Sequence, residues 1–263
     1  MAETGFLSGE DPPLFSAKLY IAAMGRSGST ALSNMLTTPP KRWLLSEPWF
    51  IHGVMSKTIR ARWKEFAWED RDTDWFLPPA QRNHEGFVRR YTDFLAPHLA
   101  GLDAWGVKEV RGDFHEPTIV TIRPEKIIVL VRDIRDVIRS LLEKQSRQNT
   151  EATHGRAWIE AYLQTATRAL VSLAGTHGDR LRVCRFEELM LDPAAQRSLG
   201  DWLDWPLDGD PFAGFESFGR GYEVKRRLEG EARVLPPDAA DIINDIAAGE
   251  ASVAYQKCFG YSS

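Results

Sequence analysis

The sequence has little cysteine and no long hydrophobic run. Its 263 residues include two cysteines, Cys184 and Cys258, which are too few for a disulfide framework or a multi-thiolate metal site. No segment approaches the roughly 18–20 uninterrupted apolar residues that a transmembrane helix requires. Residues 1–15 have neither the basic segment nor the apolar core of a signal peptide. These absences predict a cytoplasmic protein with reduced cysteines and no membrane span.

The sequence also lacks an excess of positive charge. With 33 Lys and Arg against 37 Asp and Glu, the formal net charge is −4 and the pI is near 5.9. This balance argues against nucleic acid as a partner, because nucleic-acid binding usually requires a basic face. The six histidines show no ligand spacing with cysteine, aspartate or glutamate, so no metal site is predicted.

The rest of the composition is typical of a folded domain, with 43% hydrophobic and 27% charged residues. Short apolar runs predict buried strands, and segments with helical spacing of apolar residues lie between them. The strands are expected at 18–24, 105–110, 126–131 and 181–186, and the helices at 30–36, from 134 onward, 157–174, 197–203 and 236–248. This alternation predicts one α/β domain over 1–263, with a central, mostly parallel β-sheet flanked by helices in three layers.

Aromatic residues are concentrated in one part of the chain. Residues 43–94 hold 11 of the 28 aromatic side chains, interleaved with polar and charged residues. We expect an insertion at about 43–104 that contributes to substrate binding, because aromatic faces stack on sugars or enclose apolar ligands. A helical subdomain with its own core explains the same pattern, and the segment could also serve a homodimer interface.

A glycine-rich loop with the sequence GRSGST follows the first predicted strand and opens the first predicted helix. Glycines allow close backbone approach, and the exposed N–H groups and dipole of a helix N-terminus favour a phosphate-like anion. The loop adds one positive charge and three hydroxyl groups; its residues are Gly25, Arg26, Ser27, Gly28, Ser29 and Thr30. A tight turn with a Ser/Thr cap is the alternative.

The loop differs from the nucleoside-triphosphate motif G-x-x-x-x-G-K-[ST]. Aligning residues 28–30 with the end of that motif puts Ser29 at the lysine position and Ala23 at the first glycine position. The lysine that reaches the β- and γ-phosphates is therefore absent. The loop is predicted to hold a phosphate compound other than a Mg²⁺-bound triphosphate.

A second anion-binding element is expected where the strand at 126–131 ends. Arg132 follows this strand, Asp133 can cap the next helix, and Ser140 lies eight residues after the arginine. Ligands of open α/β sheets lie beyond the carboxyl ends of the strands, where an arginine can bind phosphate through two hydrogen bonds. The alternative is a solvated helix face on which arginines pair with aspartates: Arg132, Arg135 and Arg139 with Asp133 and Asp136.

Glu47 is the preferred candidate for a general base, since it follows the first helix and could deprotonate an acceptor hydroxyl. A surface or capping glutamate is the alternative. Lys108 and Glu109 end a strand and are expected to face the same cleft. Glu109 and His115 are the other candidate bases.

The combination resembles the sulfotransferases that use 3′-phosphoadenosine-5′-phosphosulfate (PAPS), above all their carbohydrate-type and bacterial branches. Four segments carry the resemblance: the loop at 25–30, LVRDIRDVIRS at 130–140, RVCRFEELMLDP at 182–193, and the C-terminal segment from 235 to 261. The resemblance implies a P-loop-like fold and PAPS as co-substrate, with adenosine 3′,5′-bisphosphate as product. Phe186 departs from the family pattern, which has tyrosine at that position.

The resemblance also implies roles for individual residues. Arg132 and Ser140 would bind the 3′-phosphate, and Glu47 would be the catalytic base. Arg26 and Lys108 would stabilise charge on the leaving phosphate, and no metal is required. The 5′-phosphosulfate would be held by Arg26, Ser27, Gly28, Ser29 and Thr30. The acceptor would be a hydroxyl of a carbohydrate or small natural product. A P-loop nucleotide kinase or phosphotransferase, and a non-catalytic nucleotide- or glycan-binding protein, are the alternative functions.

Overall fold

The computed structural model describes residues 17–48, 96–148, 155–211 and 235–261. Within them lies one five-stranded sheet with the order β2-β3-β1-β4-β5, in which all four neighbouring pairs are parallel. The strands are β1 (Leu19–Ala23), β2 (Arg42–Ser46), β3 (Ala104–Glu109), β4 (Lys126–Val131) and β5 (Leu181–Arg185). The order puts β1 at the centre, between β3 and β4.

The central strand is apolar throughout because both of its faces are covered. Leu19, Ile21 and Ala23 pack on one side of the sheet, and Tyr20 and Ala22 pack on the other. All five are fully buried. A continuous apolar run is what a parallel strand between two helical layers requires.

Helices cover both faces of this sheet. They are α1 (Ser29–Leu36), α2 (Ala96–Leu99), α3 (Gly112–Ile122), α4 (Ile134–Gln148), α5 (Arg156–Ala174), α6 (Phe186–Leu191), α7 (Pro193–Leu203), α8 (Ala239–Ala247) and α9 (Glu250–Phe259). Helices α1, α6 and α7 share a hydrophobic core with one face. Helices α3, α4, α5, α8 and α9 share a second core with the other face. The expected three-layer α/β fold with a parallel sheet is confirmed.

The predicted strands at 18–24, 105–110, 126–131 and 181–186 correspond to β1, β3, β4 and β5. The sequence pattern did not predict β2, because Trp43 was grouped with the aromatic segment that follows it. It also did not predict α3, whose periodicity is interrupted by Pro117, or α9. The acidic residues 187 and 188, directly after β5, belong to the short helix α6.

Part of the predicted aromatic insertion at about 43–104 belongs to the sheet. Trp43 is almost completely buried in β2, and the last residue of the segment, Ala104, begins β3. Residues 49–95 lie outside the described residues, so the acceptor role and the homodimer interface expected from this segment stay predictions. Within the described ranges, every helix is too short or too polar to cross a membrane.

Candidate active site

The predicted site residues converge at one edge of the sheet. Since all strands are parallel, their carboxyl ends meet at the same edge. The phosphate loop, which we define as residues 25–30, follows β1. Glu47 follows β2, Lys108 is the second-last residue of β3, and Arg132 follows β4. Strand order therefore brings segments together that are far apart in the chain.

The phosphate loop exposes the N-terminus of α1. Gly28 occupies the N-cap position with φ of 84°, no side chain caps the helix, and no acidic residue lies in its first turn. The first N–H groups of a helix have no partner within the helix, and together with the helix dipole they favour an anion. Arg26 also has a positive φ, of 72°. Such conformations of non-glycine residues cost energy and are concentrated at functional sites.

The Ser27 hydroxyl faces into the protein. It donates to the Met24 carbonyl at 2.6 Å, and the Ser27 N–H donates to the same oxygen at 3.2 Å. The side chain is fully buried. In this geometry Ser27 shapes the loop, and its hydroxyl proton is already used within the loop.

The loop and the end of β4 are joined by an aromatic ring. A Cβ atom at Gly28 would lie 2.0 Å from Cε2 of Phe186, so the ring packs directly against the glycine. The guanidinium carbon of Arg132 lies 4.8 Å from the centre of the same ring. Phe186 therefore keeps the packing that an aromatic residue supplies at this position, without the hydroxyl of the family's tyrosine.

The two predicted anion-binding elements contact each other. Arg26 donates through Nε to the Ser140 hydroxyl at 3.0 Å. Arg132 donates through one terminal nitrogen to the Arg26 carbonyl at 3.2 Å. The phosphate loop is thus joined to Arg132 and Ser140 by direct hydrogen bonds.

Arg132 also pairs with Asp136 of α4, the helix that follows it, as the alternative interpretation expects. One terminal nitrogen lies 3.5 Å from a carboxylate oxygen of Asp136, which also pairs with Arg139. The Arg132 side chain is 15% exposed, and among the described residues its buried Nε has no hydrogen-bond partner. A buried guanidinium N–H without an acceptor is costly, so this atom fits an incoming anion. Asp133 accepts from the Arg135 N–H at 2.8 Å, as expected for a helix cap.

Glu47 and Lys108 form an ion pair at the ends of β2 and β3. Lys108 Nζ lies 2.5 Å from Glu47 Oε1, and the Glu47 N–H donates to the Lys108 carbonyl at 2.7 Å. The Lys108 side chain is fully buried, whereas a third of the Glu47 side chain is exposed. The Lys108 charge lowers the pKa of the Glu47 carboxyl against the opposing effect of burial, and Lys144 and Arg26 act in the same direction.

The other two candidate bases are less accessible. Glu109 and His115 are both buried, on β3 and α3. Nδ1 of His115 lies 2.9 Å from the Tyr20 hydroxyl. Burial lowers the pKa of His115 to about 4, so this side chain is neutral at physiological pH. The geometry favours Glu47, whose carboxylate is both charged and partly exposed.

Tyr162 is a residue of the site that the sequence did not identify. Its hydroxyl accepts from the Gly25 N–H at 2.5 Å and donates to the Val110 carbonyl at 3.1 Å. Burial raises the pKa of Tyr162 to about 12, so the hydroxyl keeps its proton. The side chain links the phosphate loop to the end of β3. On its own helix, Tyr162 is one more member of the apolar face of α5, and no local pattern distinguishes it.

Comparison with protein families identifies the chain. A family model described as "Sulfotransferase family" matches residues 18–209, which is well over half of the sequence. The chain belongs to this family. No curated protein sequence matches it.

Solved structures show the same fold at low sequence identity. The sulfotransferase domain from the Synechococcus PCC 7002 olefin synthase has a TM-score of 0.57 at 17% identity, covering 97% of this chain and 98% of that one. The sulfotransferase domain from the curacin biosynthetic pathway has a TM-score of 0.55 at 14% identity, covering 94% and 99%. A sulfotransferase from Alicyclobacillus acidocaldarius has a TM-score of 0.51 at 13% identity, covering 94% and 97%.

Proposed function

We propose that this sulfotransferase transfers the sulfuryl group of PAPS to a hydroxyl of a carbohydrate or small natural product. The observation that carries the proposal is the contact between Arg26 and Ser140 at 3.0 Å, beside the uncapped N-terminus of α1. It joins two anion-binding elements from distant parts of the chain. A donor with a phosphosulfate and a second phosphate on one nucleoside needs two such elements side by side.

The phosphate loop would bind the 5′-phosphosulfate. The backbone N–H groups of Gly28, Ser29 and Thr30 lie at the helix N-terminus, and Arg26 supplies positive charge. Ser27 contributes by shaping the loop through Met24. Backbone donors held in a rigid loop stabilise charge without having to reorganise during the reaction.

Arg132 and Ser140 would bind the 3′-phosphate. The Arg132 Nε is buried and, within the described part of the chain, unpartnered. Ser140 lies on α4, which follows Arg132, and its hydroxyl accepts from the Arg26 side chain. A phosphate oxygen at this position would satisfy the guanidinium N–H and strengthen the hydrogen bond through its charge.

The transfer itself needs a base and a way to stabilise the leaving group. PAPS supplies an SO₃ group, which moves from its 5′-phosphate oxygen to the acceptor oxygen, while the acceptor proton passes to the Glu47 carboxylate. Adenosine 3′,5′-bisphosphate carries the negative charge away. Glu47 can accept the proton because its carboxylate is ionised and partly exposed, and the ion pair with Lys108 holds it in place. Arg26 and the loop amides stabilise the charge that develops on the phosphate.

Calorimetric titration tests the donor. Adenosine 3′,5′-bisphosphate and ATP with Mg²⁺ are titrated separately into the wild-type protein. Tight bisphosphate binding with weak ATP binding is expected, because Ser29 stands where a triphosphate-binding loop has lysine. Tight ATP binding with weak bisphosphate binding would instead indicate a nucleotide kinase or phosphotransferase. Bisphosphate binding with no sulfuryl transfer from PAPS to a broad panel of sugar and natural-product hydroxyls would indicate a non-catalytic binding protein.

The expected cytoplasmic location is also part of this proposal. It rests on the use of cysteine: Cys184 and Cys258 are both free thiols, the first buried and the second exposed. An exposed free thiol is typical of a reducing compartment.

Within the described ranges, no group of three or more His, Cys, Asp or Glu side chains could hold a metal ion.

A further inference from the structure

The turn after β4 is held by the C-terminal end of the chain. Tyr255 lies on α9 and contacts Arg132 directly. Tyr261 lies two residues after the end of α9 and contacts Asp133 through Glu187. We call Tyr255, Tyr261 and Glu187 the C-terminal clamp. None of the three belongs to the residues that the sequence analysis placed at the donor.

Tyr255 binds both polar groups of the Arg132 backbone. Its hydroxyl accepts from the Arg132 N–H at 3.1 Å and donates to the Arg132 carbonyl at 3.0 Å. The side chain is fully buried, and burial raises its pKa, so the hydroxyl keeps the proton it donates. Because the Tyr255 hydroxyl bonds both the N–H and the carbonyl of Arg132, it fixes the backbone there. The orientation of the Arg132 side chain is fixed with it.

Glu187 holds the next residue. One carboxylate oxygen accepts from the Asp133 N–H at 3.0 Å, and the other accepts from the Tyr261 hydroxyl at 2.9 Å. Asp133 in turn caps α4, the helix that carries Ser140. Tyr261 therefore reaches the start of α4 through a chain of two hydrogen bonds.

The end of α9 is itself secured, so the clamp is not a loose terminus. Arg185 donates to the carbonyls of Phe259 and Gly260 at 2.7 and 3.1 Å, and its guanidinium carbon lies 5.1 Å from the Tyr261 ring centre. The rings of Tyr255 and Tyr261 lie parallel, with their centres 6.3 Å apart. These contacts hold the two hydroxyls in place against the turn.

We infer that Tyr255 and Tyr261 are positioning residues for the 3′-phosphate of the donor, acting through the backbone of Arg132 and Asp133. The inference rests on the proposed function. Helix α9 could act in two ways, and the two have different effects on ligand binding. A helix that only completes the core would, when weakened, affect every ligand of the site alike. A helix that orients Arg132 affects the ligand that carries a 3′-phosphate and spares the ligand that lacks it.

The test compares two ligands that differ only in that phosphate. The dissociation constants of adenosine 3′,5′-bisphosphate and adenosine 5′-monophosphate are measured by calorimetry for the wild type and for Tyr255→Phe. We expect Tyr255→Phe to weaken bisphosphate binding roughly 10-fold, the effect of misplacing one charge-assisted hydrogen bond, and to leave monophosphate binding within about twofold. The ratio of the two affinities, bisphosphate to monophosphate, therefore falls. Tyr261→Phe should reduce this ratio by a smaller factor, because it acts through Glu187.

Two controls isolate the mechanism. Tyr20→Phe removes another fully buried tyrosine hydroxyl, which contacts His115 at 2.9 Å, and it should leave the ratio of the two constants unchanged. In an Arg132→Ala background, Tyr255→Phe should have no further effect on the ratio, because the side chain that it orients is gone.

An unchanged ratio in Tyr255→Phe, or an equal loss of both ligands, would overturn the inference. If Tyr255→Phe does not fold, an unchanged ratio in Tyr261→Phe overturns it equally. A wild type that binds neither ligand, or does not discriminate between them, would overturn the proposed donor and the inference with it. Discrimination by the wild type with an unchanged ratio in the variants would overturn the inference alone.

Discussion

The buried ammonium group of Lys108 lies 2.5 Å from one carboxylate oxygen of Glu47, at the adjoining ends of two parallel strands. The pair joins two residues that the sequence placed in the site for different reasons. Lys108 keeps the pKa of Glu47 below its ordinary value. The lowered pKa makes this carboxylate a weaker base than an ordinary glutamate, so a role in proton transfer depends on its position in the site.

Replacing Glu47 by glutamine should affect catalysis and spare donor binding. We expect kcat to fall by about 10²–10⁴, the usual contribution of a general base, with the affinity for adenosine 3′,5′-bisphosphate nearly unchanged. Steady-state kinetics and calorimetry measure the two quantities. Glu160→Gln is the matched control, since Glu160 is a half-exposed glutamate that pairs with Arg156 on α5. Full activity of Glu47→Gln would indicate that the base is Glu109 or His115.

Lys108→Met should move the acid limb of the pH–rate profile. The rate falls as the pH drops through the pKa of Glu47, so a lowered pKa puts this limb below the usual range of a glutamate. Without the Lys108 charge, burial remains and raises the pKa, so the limb moves to higher pH. Lys41→Met, which removes an exposed lysine paired with Asp103, should leave the limb in place. An acid limb at the same pH in Lys108→Met as in the wild type would show that a group other than Glu47 controls it.

Arg132→Ala should raise the KM for PAPS. Loss of a charge-assisted contact worth about 1.5–3 kcal/mol corresponds to roughly 10- to 100-fold. Arg139→Ala is the control, because Arg139 lies on α4, the helix that follows Arg132, and shares the partner Asp136 but is more exposed. An unchanged KM in Arg132→Ala would mean that the residue belongs to the solvated helix face only.

Gly28→Ala should destabilise the protein and weaken donor binding together. A left-handed conformation costs alanine about 1–2 kcal/mol, and forcing a Cβ atom against the Phe186 ring adds about 1–3 kcal/mol of overpacking. The displaced ring also lies against Arg132.

Gly178→Ala separates the two contributions in the unfolding free energy. Gly178 has φ of 50°, but a Cβ atom there would meet no atom within 4 Å. Its replacement should therefore cost only the conformational part and leave bisphosphate affinity unchanged. Equal losses in Gly28→Ala and Gly178→Ala would show that the contact with Phe186 carries no cost.

Local patterns in the sequence predicted much of the fold. The continuous apolar run of β4 coincides with the predicted strand at 126–131, and the break from β1 into the glycine loop and α1 is where the sequence puts it. Both signals arise within a few residues, from burial on two faces of a strand and from 3.6-residue periodicity. Elements with mixed signals were missed: β2 looks like the start of an aromatic segment, and α3 contains Pro117.

The same distinction applies to the site. The residue types and spacing of the phosphate loop and of Arg132 with Ser140 are visible in the chain. Their direct contact is not, because it depends on β1 and β4 being neighbours in the sheet.

The sequence alone thus determined the fold class, the family resemblance and the candidate site residues, since these depend on residue type and short-range periodicity. Only the tertiary structure decided that Lys108 pairs with Glu47, that Tyr162 contacts Gly25 and that Tyr255 holds Arg132. These contacts join segments separated by 61 to 137 residues. Strand order and helix packing create these contacts, and neither can be predicted from the local pattern of residues along the chain.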